Sequence, residues 1–235
     1  MGLMYWQLND IWQSATWSTL DYNGRWKMAH YYVRHFYSPI YLLLKSTPYL
    51  PSVTDDNAQV RLYIVNELIN VTNHQVNCSI HSFDRFHARL FFPFDVLTNS
   101  TDVQMIDQWN YKSLMEQAHC LNSNECLMRC SLNSSGQLSN EYQTLFFARA
   151  KDIHLNNPNL RISSIVQKSS NEISLTINAD QPALFVWLDL PTELDGYFSR
   201  NGFHIFEQST TITLITWTSS TNIDISITSL YDVTH

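Results

Sequence analysis

Glycine is scarce. The 235 residues contain only five, and none sits in GxGxxG or P-loop spacing. A phosphate cradle needs tight turns with exposed backbone amides, so nucleotide-binding loops are excluded. Long hydrophobic runs are also missing: the longest, Ile40 to Leu44, is strand-length and far short of a bilayer span. Charged residues make up 15% of the chain, the net charge is −7, and no basic run interleaves with aromatics. That excludes nucleic acid and anionic membrane as partners, because both demand a cationic surface. Residues 1–20 lack a basic start and an unbroken apolar core, so they do not read as a signal peptide. No glutamate occurs before Glu67.

Hydrophobic residues at 44% and aromatics at 13% are globular values, and Asn, Ser and Thr are abundant. This balance fits a β-rich extracytoplasmic protein. Four cysteines, Cys78, Cys120, Cys126 and Cys130, form an even set with three in one cluster. Zinc would prefer paired CxxC or tightly spaced histidines, so no metal site is expected and a disulfide framework is the better reading. Four cysteines allow three pairings. Sequons at Asn70, Asn77, Asn99 and Asn133 make these asparagines glycosylation candidates and point the same way.

Four of the seven tryptophans, Trp6, Trp12, Trp17 and Trp26, fall in the first two dozen residues, beside Asn9, Asp10, Asp21 and Lys27. Flat indole faces beside carboxylates and amides are sugar-site chemistry: pyranose C–H groups pack on the ring while hydroxyls take paired donors and acceptors. Clustered tryptophans also fill cores, and composition leaves both readings open.

Met4 to Leu8 reads as a buried strand ending at Asn9-Asp10, and Ile11 to Gly24 as a polar loop. Trp26, Ala29, His30, Val33 and Phe36–Tyr37 recur at helical spacing, predicting an amphipathic helix from Arg25 that Pro39 stops. One such βα unit closes no sheet by itself. From Ile40 onward short strands alternate with polar turns, including a turn over residues 46–57. Val60, Leu62 and Ile64 alternate with Gln59, Arg61 and Tyr63, as an antiparallel sandwich requires. Val103 to His119 breaks this pattern; Met105, Ile106, Trp109, Leu114 and Met115 fit one helical face. Residues 153–159, with Asn156-Asn157-Pro158-Asn159, have linker composition. A second alternating set follows, ending with Ile223, Ile225 and Ile227.

Tyr5-Trp6-Gln7-Leu8-Asn9-Asp10-Ile11-Trp12, with Trp17-Ser18, Asp21-Tyr22, Gly24-Arg25-Trp26-Lys27 and His30-Tyr31, resembles the last barrel strand, loop and helix of the animal lysosomal β-mannosidases, glycoside hydrolase family two. Phe185-Val186-Trp187-Leu188-Asp189 and Phe198-Ser199, with Asn201-Gly202-Phe203, resemble the family's terminal sandwich. The resemblance implies a mainly β fold class: two immunoglobulin-like β-sandwich domains preceded by the last strand and helix of a truncated (β/α)8 barrel. The implied domains are residues 1–38, 39–155 with a Cys-rich insertion, and 156–235. It implies a lysosomal setting and terminal β-mannosides of oligosaccharides as substrate, cleaved with retention and without a cofactor. Its partner would be the remainder of the catalytic barrel. Barrel active sites lie at the C-terminal strand ends, which puts Trp6 at a wall of the mannose subsite, with Asn9 and Asp10 as further substrate-binding candidates. Loop-capping hydrogen bonds are the alternative for Asn9 and Asp10. Trp12 and Trp17 are expected to pack the loop, and Trp26 and Lys27 to belong to the outer helix.

Retaining glycosidases need two carboxyls about 5–5.5 Å apart, and in this family both are glutamates from earlier barrel strands. Asp10 and Asp21 are the only carboxylates in the barrel-like segment, so no catalytic residue is expected in this chain. Two further functions stand beside the enzyme reading. One is a non-catalytic carbohydrate-binding module using Tyr197, Phe198 or Trp217. The other is a poorly folded piece exposing Trp6 and Trp26.

Overall fold

The computed structural model describes residues 4–48, 57–134, 137–217 and 223–234. The chain divides into two compact units, Met1–Phe36 with Asn157–His235 and Tyr37–Asn156.

In the first unit the strand expected over Met4–Leu8 does not form. Residues 4–27 are irregular, tied by isolated bridges of Asn9 to Leu20 and Leu20 to Trp26. A strand requires a continuous neighbour for its N–H and C=O groups, and only the end of this run is met, where the Gln7 and Leu8 carbonyls accept from the Thr19 and Leu20 amides. The helix α1 spans Met28–Phe36, starting three residues later than its periodicity implies. Residues 21–25 are instead occupied by a turn: Gly24, at φ +81°, donates to the Asp21 carbonyl, and the Asp21 amide donates to that of Arg25. The face of α1 bearing Tyr31 and Tyr32 docks on the second half of the same unit. The Tyr31 hydroxyl accepts from the Phe198 amide at 3.1 Å, and Tyr32 donates to the Gly202 carbonyl at 2.7 Å.

The second unit is a sandwich of two antiparallel sheets. Its elements are β1 (Ile40–Thr47), β2 (Gln59–Asn66), β3 (Thr72–Ser82), β4 (Leu90–Thr98), β5 (Asp102–Asn110), α2 (Tyr111–Gln117), β6 (Cys126–Ser134) and β7 (Gln137–Phe146). One sheet has the order β1-β2-β5 and the other β4-β3-β6-β7. Alternate residues of both sheets meet inside: Val60, Leu62 and Ile64 from one, Val76, Cys78 and Ile80 from the other. Most of the turn expected over residues 46–57 lies outside the described residues. The helix expected from Val103 is a correction. Residues 102–110 pair with β2 from Asn66↔Asp102 to Gln59↔Asn110, and only Tyr111–Gln117 is helical. Asn110 caps that helix by accepting from the Ser113 amide at 3.0 Å. The cysteines pair Cys78–Cys130 and Cys120–Cys126. Cys78 and Cys130 are direct cross-strand partners of β3 and β6.

The remainder of the first unit is a second sandwich. It comprises β8 (Arg161–Gln167), β9 (Glu172–Asn178), β10 (Ala183–Asp189), β11 (Gly196–Phe198), β12 (Phe203–Ile205), β13 (Ser209–Thr216), β14 (Ser226–Thr228) and α3 (Leu230–Thr234). The sheets run β11-β13-β9-β8 and β12-β10-β14. Ile173, Leu175, Ile177, Val186, Leu188 and Ile212 are fully buried between them. The alternation of Ile223, Ile225 and Ile227 yields only the short β14, and residues 218–222 lie outside the described set. Gly196 is required by closeness, since a Cβ there would run into the Ile215 carbonyl oxygen across the β11–β13 pair.

Candidate functional site

The tryptophan-rich segment is held open by a buried polar knot. Leu8 and Asp10 bracket Leu20: the Leu20 amide donates to the Leu8 carbonyl at 2.8 Å and the Asp10 amide to the Leu20 carbonyl at 3.1 Å. Lys27 closes the third side, its amide donating to the Thr19 carbonyl at 2.9 Å. The Asp10 side chain sits at the centre, 4% exposed. Its Oδ2 accepts from Lys27 Nζ at 2.8 Å, and its Oδ1 accepts from the hydroxyls of Thr16 and Ser18. Lys27 Nζ also donates to Ser18 Oγ at 2.7 Å. The Lys27 hydrogen bond, with those of Ser18 and Thr16, outweighs burial and lowers the Asp10 carboxyl from 3.8 to about 2. Beside the knot, the Thr19 hydroxyl donates to the Leu8 carbonyl and lies 2.9 Å from His30 Nδ1. Burial, reinforced by Arg34, pushes the His30 imidazole below its ordinary value.

What this knot presents outward is aromatic. Trp6 is 78% exposed and Trp17 82%, with Ile11 and Trp12 also in solvent. Trp12 and Trp17 therefore do not pack the loop as expected. Their loop is short and carries its internal contacts through Asp10, Thr16 and Ser18, leaving the indoles no surface to cover them. Asn9 is exposed, and its amide donates to the Asp10 carbonyl at 3.1 Å. Trp6, Asn9 and Asp10 thus share one short stretch, with Trp6 and Asn9 outward and Asp10 inward. The Asp21 carboxylate caps its own turn, accepting from the Asn23 and Arg25 amides at 2.8 Å each.

Trp26 and Lys27 precede α1 rather than belonging to it. Lys27 is taken by Asp10, and Trp26 stacks on Tyr197 with ring centroids 4.5 Å apart and planes 11° from parallel. Arg25, which the residue pattern did not single out, extends this junction. Its guanidinium donates to the carbonyls of Leu190, Pro191 and Thr192. Its role could not be read from spacing, because its partners are about 165 residues away along the chain. Of the three aromatics suggested for the terminal sandwich, Phe198 is buried, Tyr197 is sandwiched between Trp26 and Trp217, and Trp217 is exposed. Among the described residues, no group of three or more His, Cys, Asp or Glu could hold a metal ion.

Residues 155–233 match the family model of an Ig-fold domain, Ig_mannosidase. A β-mannosidase of Capra hircus is 29% identical over 99% of this chain and 26% of its own length. Beta-mannosidase A of Aspergillus oryzae is 28% identical over 86% of this chain and 22% of its own. The chain thus spans about a quarter of the length of the curated relatives it matches. Among solved structures, the fold is shared with Beta-D-Mannosidase from Dictyoglomus thermophilum, at a TM-score of 0.70 and 18% identity over 95% of this chain and 25% of that one. It is shared as well with the Amycolatopsis orientalis exo-chitosanase CsxA, at a TM-score of 0.67 and 13% identity over 97% of this chain and 30% of that one. Along its length this chain is a homologue of the animal β-mannosidases, in keeping with glycoside hydrolase family two.

Proposed function

We propose that the chain is the C-terminal part of a retaining, lysosomal β-mannosidase that removes terminal β-linked mannose from oligosaccharides. In this reading residues 1–38 supply the last side of a (β/α)8 barrel, and the sandwiches of residues 39–155 and 156–235 brace it. The observation that carries the reading is the joint one: similarity runs over 99% of this chain, yet no glutamate precedes Glu67. Both catalytic glutamates then belong to the barrel strands of a longer protein, which is this chain's partner. Trp6 is the indole wall of the mannose subsite, and its exposure beside the exposed Asn9 suits stacking on a pyranose face. Asp10, with both oxygens engaged, acts by fixing the stretch from which Trp6 and Asn9 project.

The test is hydrolysis of a chromogenic β-mannoside. The 235-residue chain alone is expected to be inactive, and turnover above the uncatalysed rate would overturn the assignment of the catalytic groups elsewhere. A second reading, a carbohydrate-binding module, draws on Trp217, which stands exposed at the end of the Trp26–Tyr197–Trp217 row. Glycan-array binding abolished by Trp217→Ala would favour it.

A further inference from the structure

The four sequons fall in very different places. Asn70 lies in the connection between β2 and β3, and Asn99 in the turn between β4 and β5; both are exposed. These loops are adjacent at one end of the second unit, because Asn66 pairs with Asp102 and Thr72 with Thr98. A single buried side chain ties them together. Asn66, 1% exposed, donates from Nδ2 to the Asn70 carbonyl at 3.2 Å and to the Asn99 carbonyl at 2.8 Å. Its Oδ1 accepts from the Leu68 amide at 2.9 Å, and the Thr101 amide donates to the Leu68 carbonyl at 3.0 Å. The backbone of both sequons is thereby turned inward while the two asparagine side chains stay at the surface.

The surface around them is unusual. Leu68, Ile69 and Val71 flank Asn70, Leu97 and Val103 flank the Asn99 turn, and all five are exposed, Ile69 by 86%. Scattered exposed apolar residues are ordinary, but three on the β2–β3 connection and two on the strand ends either side of the Asn99 turn make a patch that promotes association. Asn77 is the contrast. It sits in the middle of β3, half-buried, with β4 at Pro93 on one side and β6 at Ser131 on the other. Its neighbour Cys78 is locked to Cys130.

We propose that Asn70 and Asn99 are a paired N-glycosylation site whose two glycans cover this apolar end of the sandwich, and that Asn77 stays bare. The sugars would lay their C–H faces over Ile69, Val71 and Leu97 and present hydroxyls to water. The inference rests on the secretory placement within the proposed function.

The test is to secrete the full chain from cultured animal cells behind an added signal peptide, then map deamidation left by peptide N-glycosidase. Occupancy at Asn70 and Asn99 with Asn77 unmodified is expected. The Asn70→Gln/Asn99→Gln double variant should lose two glycan steps on a gel, bind several-fold more of an apolar-surface dye, and elute earlier on size exclusion. A bare Asn70 or Asn99, an occupied Asn77, or unchanged dye binding in the double variant would each overturn the proposal. Because the signal is supplied, failure here is distinct from failure of the secretory placement. That would appear as free thiols at Cys78 and Cys130 in protein taken from its native source.

Discussion

Removing the Cys78–Cys130 bridge should be the most damaging change to the second unit that leaves its core composition nearly intact. The bond closes a loop of 52 residues between cross-strand partners, whereas Cys120–Cys126 closes one of 6. In the chain-entropy treatment a 52-residue closure stabilises the folded state by about 4 kcal/mol and a 6-residue closure by about 2 kcal/mol. All four sulfurs are buried, so alanine replacement adds a small cavity cost in both cases. With a urea slope of about 2 kcal/mol per molar, the Cys78→Ala/Cys130→Ala variant should unfold at a midpoint about 2 M lower. Cys120→Ala/Cys126→Ala should fall by about 1 M. The near-ultraviolet signal of Trp109, the only tryptophan of the Tyr37–Asn156 unit, reports this transition. Equal shifts for the two variants, or a shift of the Cys78–Cys130 variant below about 0.5 M, would refute loop closure as the source of the stability.

Other perturbations probe the first unit and the acid response. Gly202→Ala places a Cβ 2.7 Å from Met28 Cγ at a residue with φ +67°, so α1 should loosen at a cost of about 2 kcal/mol, read by thermal unfolding. Tyr31→Phe strips the Phe198 amide of its acceptor in a buried position and should cost about 1–3 kcal/mol in the same assay. Asp10 is lowered to about 2 from 3.8, so the stability it contributes is whole above about pH 4 and is lost as pH falls through about 2. Lys27→Met should abolish that acid-range slope in a pH series of unfolding midpoints. His81, driven down to about 4 chiefly by burial and secondarily by Arg129, stays neutral where an unfolded histidine takes a proton. The unfolded state therefore binds more protons between about pH 6.5 and 4, and the second unit should lose roughly 2 kcal/mol between pH 7 and pH 5. A flat midpoint over that range would contradict the burial of this ring.

The strands of the second unit that were legible are those with an unbroken period of two. Val60, Leu62 and Ile64 point into one core because nothing interrupts β2 between them. β5 defeated the same logic for a local reason. Its register against β2 slips between Leu62 and Tyr63, so Asp107 faces Leu62, Met105 faces Tyr63, and Ile106 is the extra residue. The bulge flips the phase of alternation, and Ile106 and Trp109, now three apart, imitate one face of a helix. Cysteine pairing was illegible for a different reason: it depends on the register of β3 against β6, which no spacing between Cys78 and Cys130 encodes.

The tryptophan-rich stretch shows where composition stops informing. Counting indoles beside carboxylates suggests a chemistry but cannot say which groups face solvent. Here the carboxylate of Asp10 and the tryptophans separate to opposite sides. Asp10 gains an ion pair and two hydroxyl donors by turning inward, an outcome set by Lys27, 17 residues on. Trp6, Trp12 and Trp17 stay outside because a loop of that length has no interior left for them. Burying three indoles would stabilise a fold by several kcal/mol, at roughly 1.5–3 kcal/mol for each large apolar side chain. Leaving all three in water is therefore costly unless another surface meets them, and a pyranose or the rest of a barrel could each supply it. The two occupants differ in stoichiometry and chemistry. A β-mannoside would quench the fluorescence of Trp6 and leave that of Trp12 and Trp17 unchanged, whereas a protein surface would shift all three together.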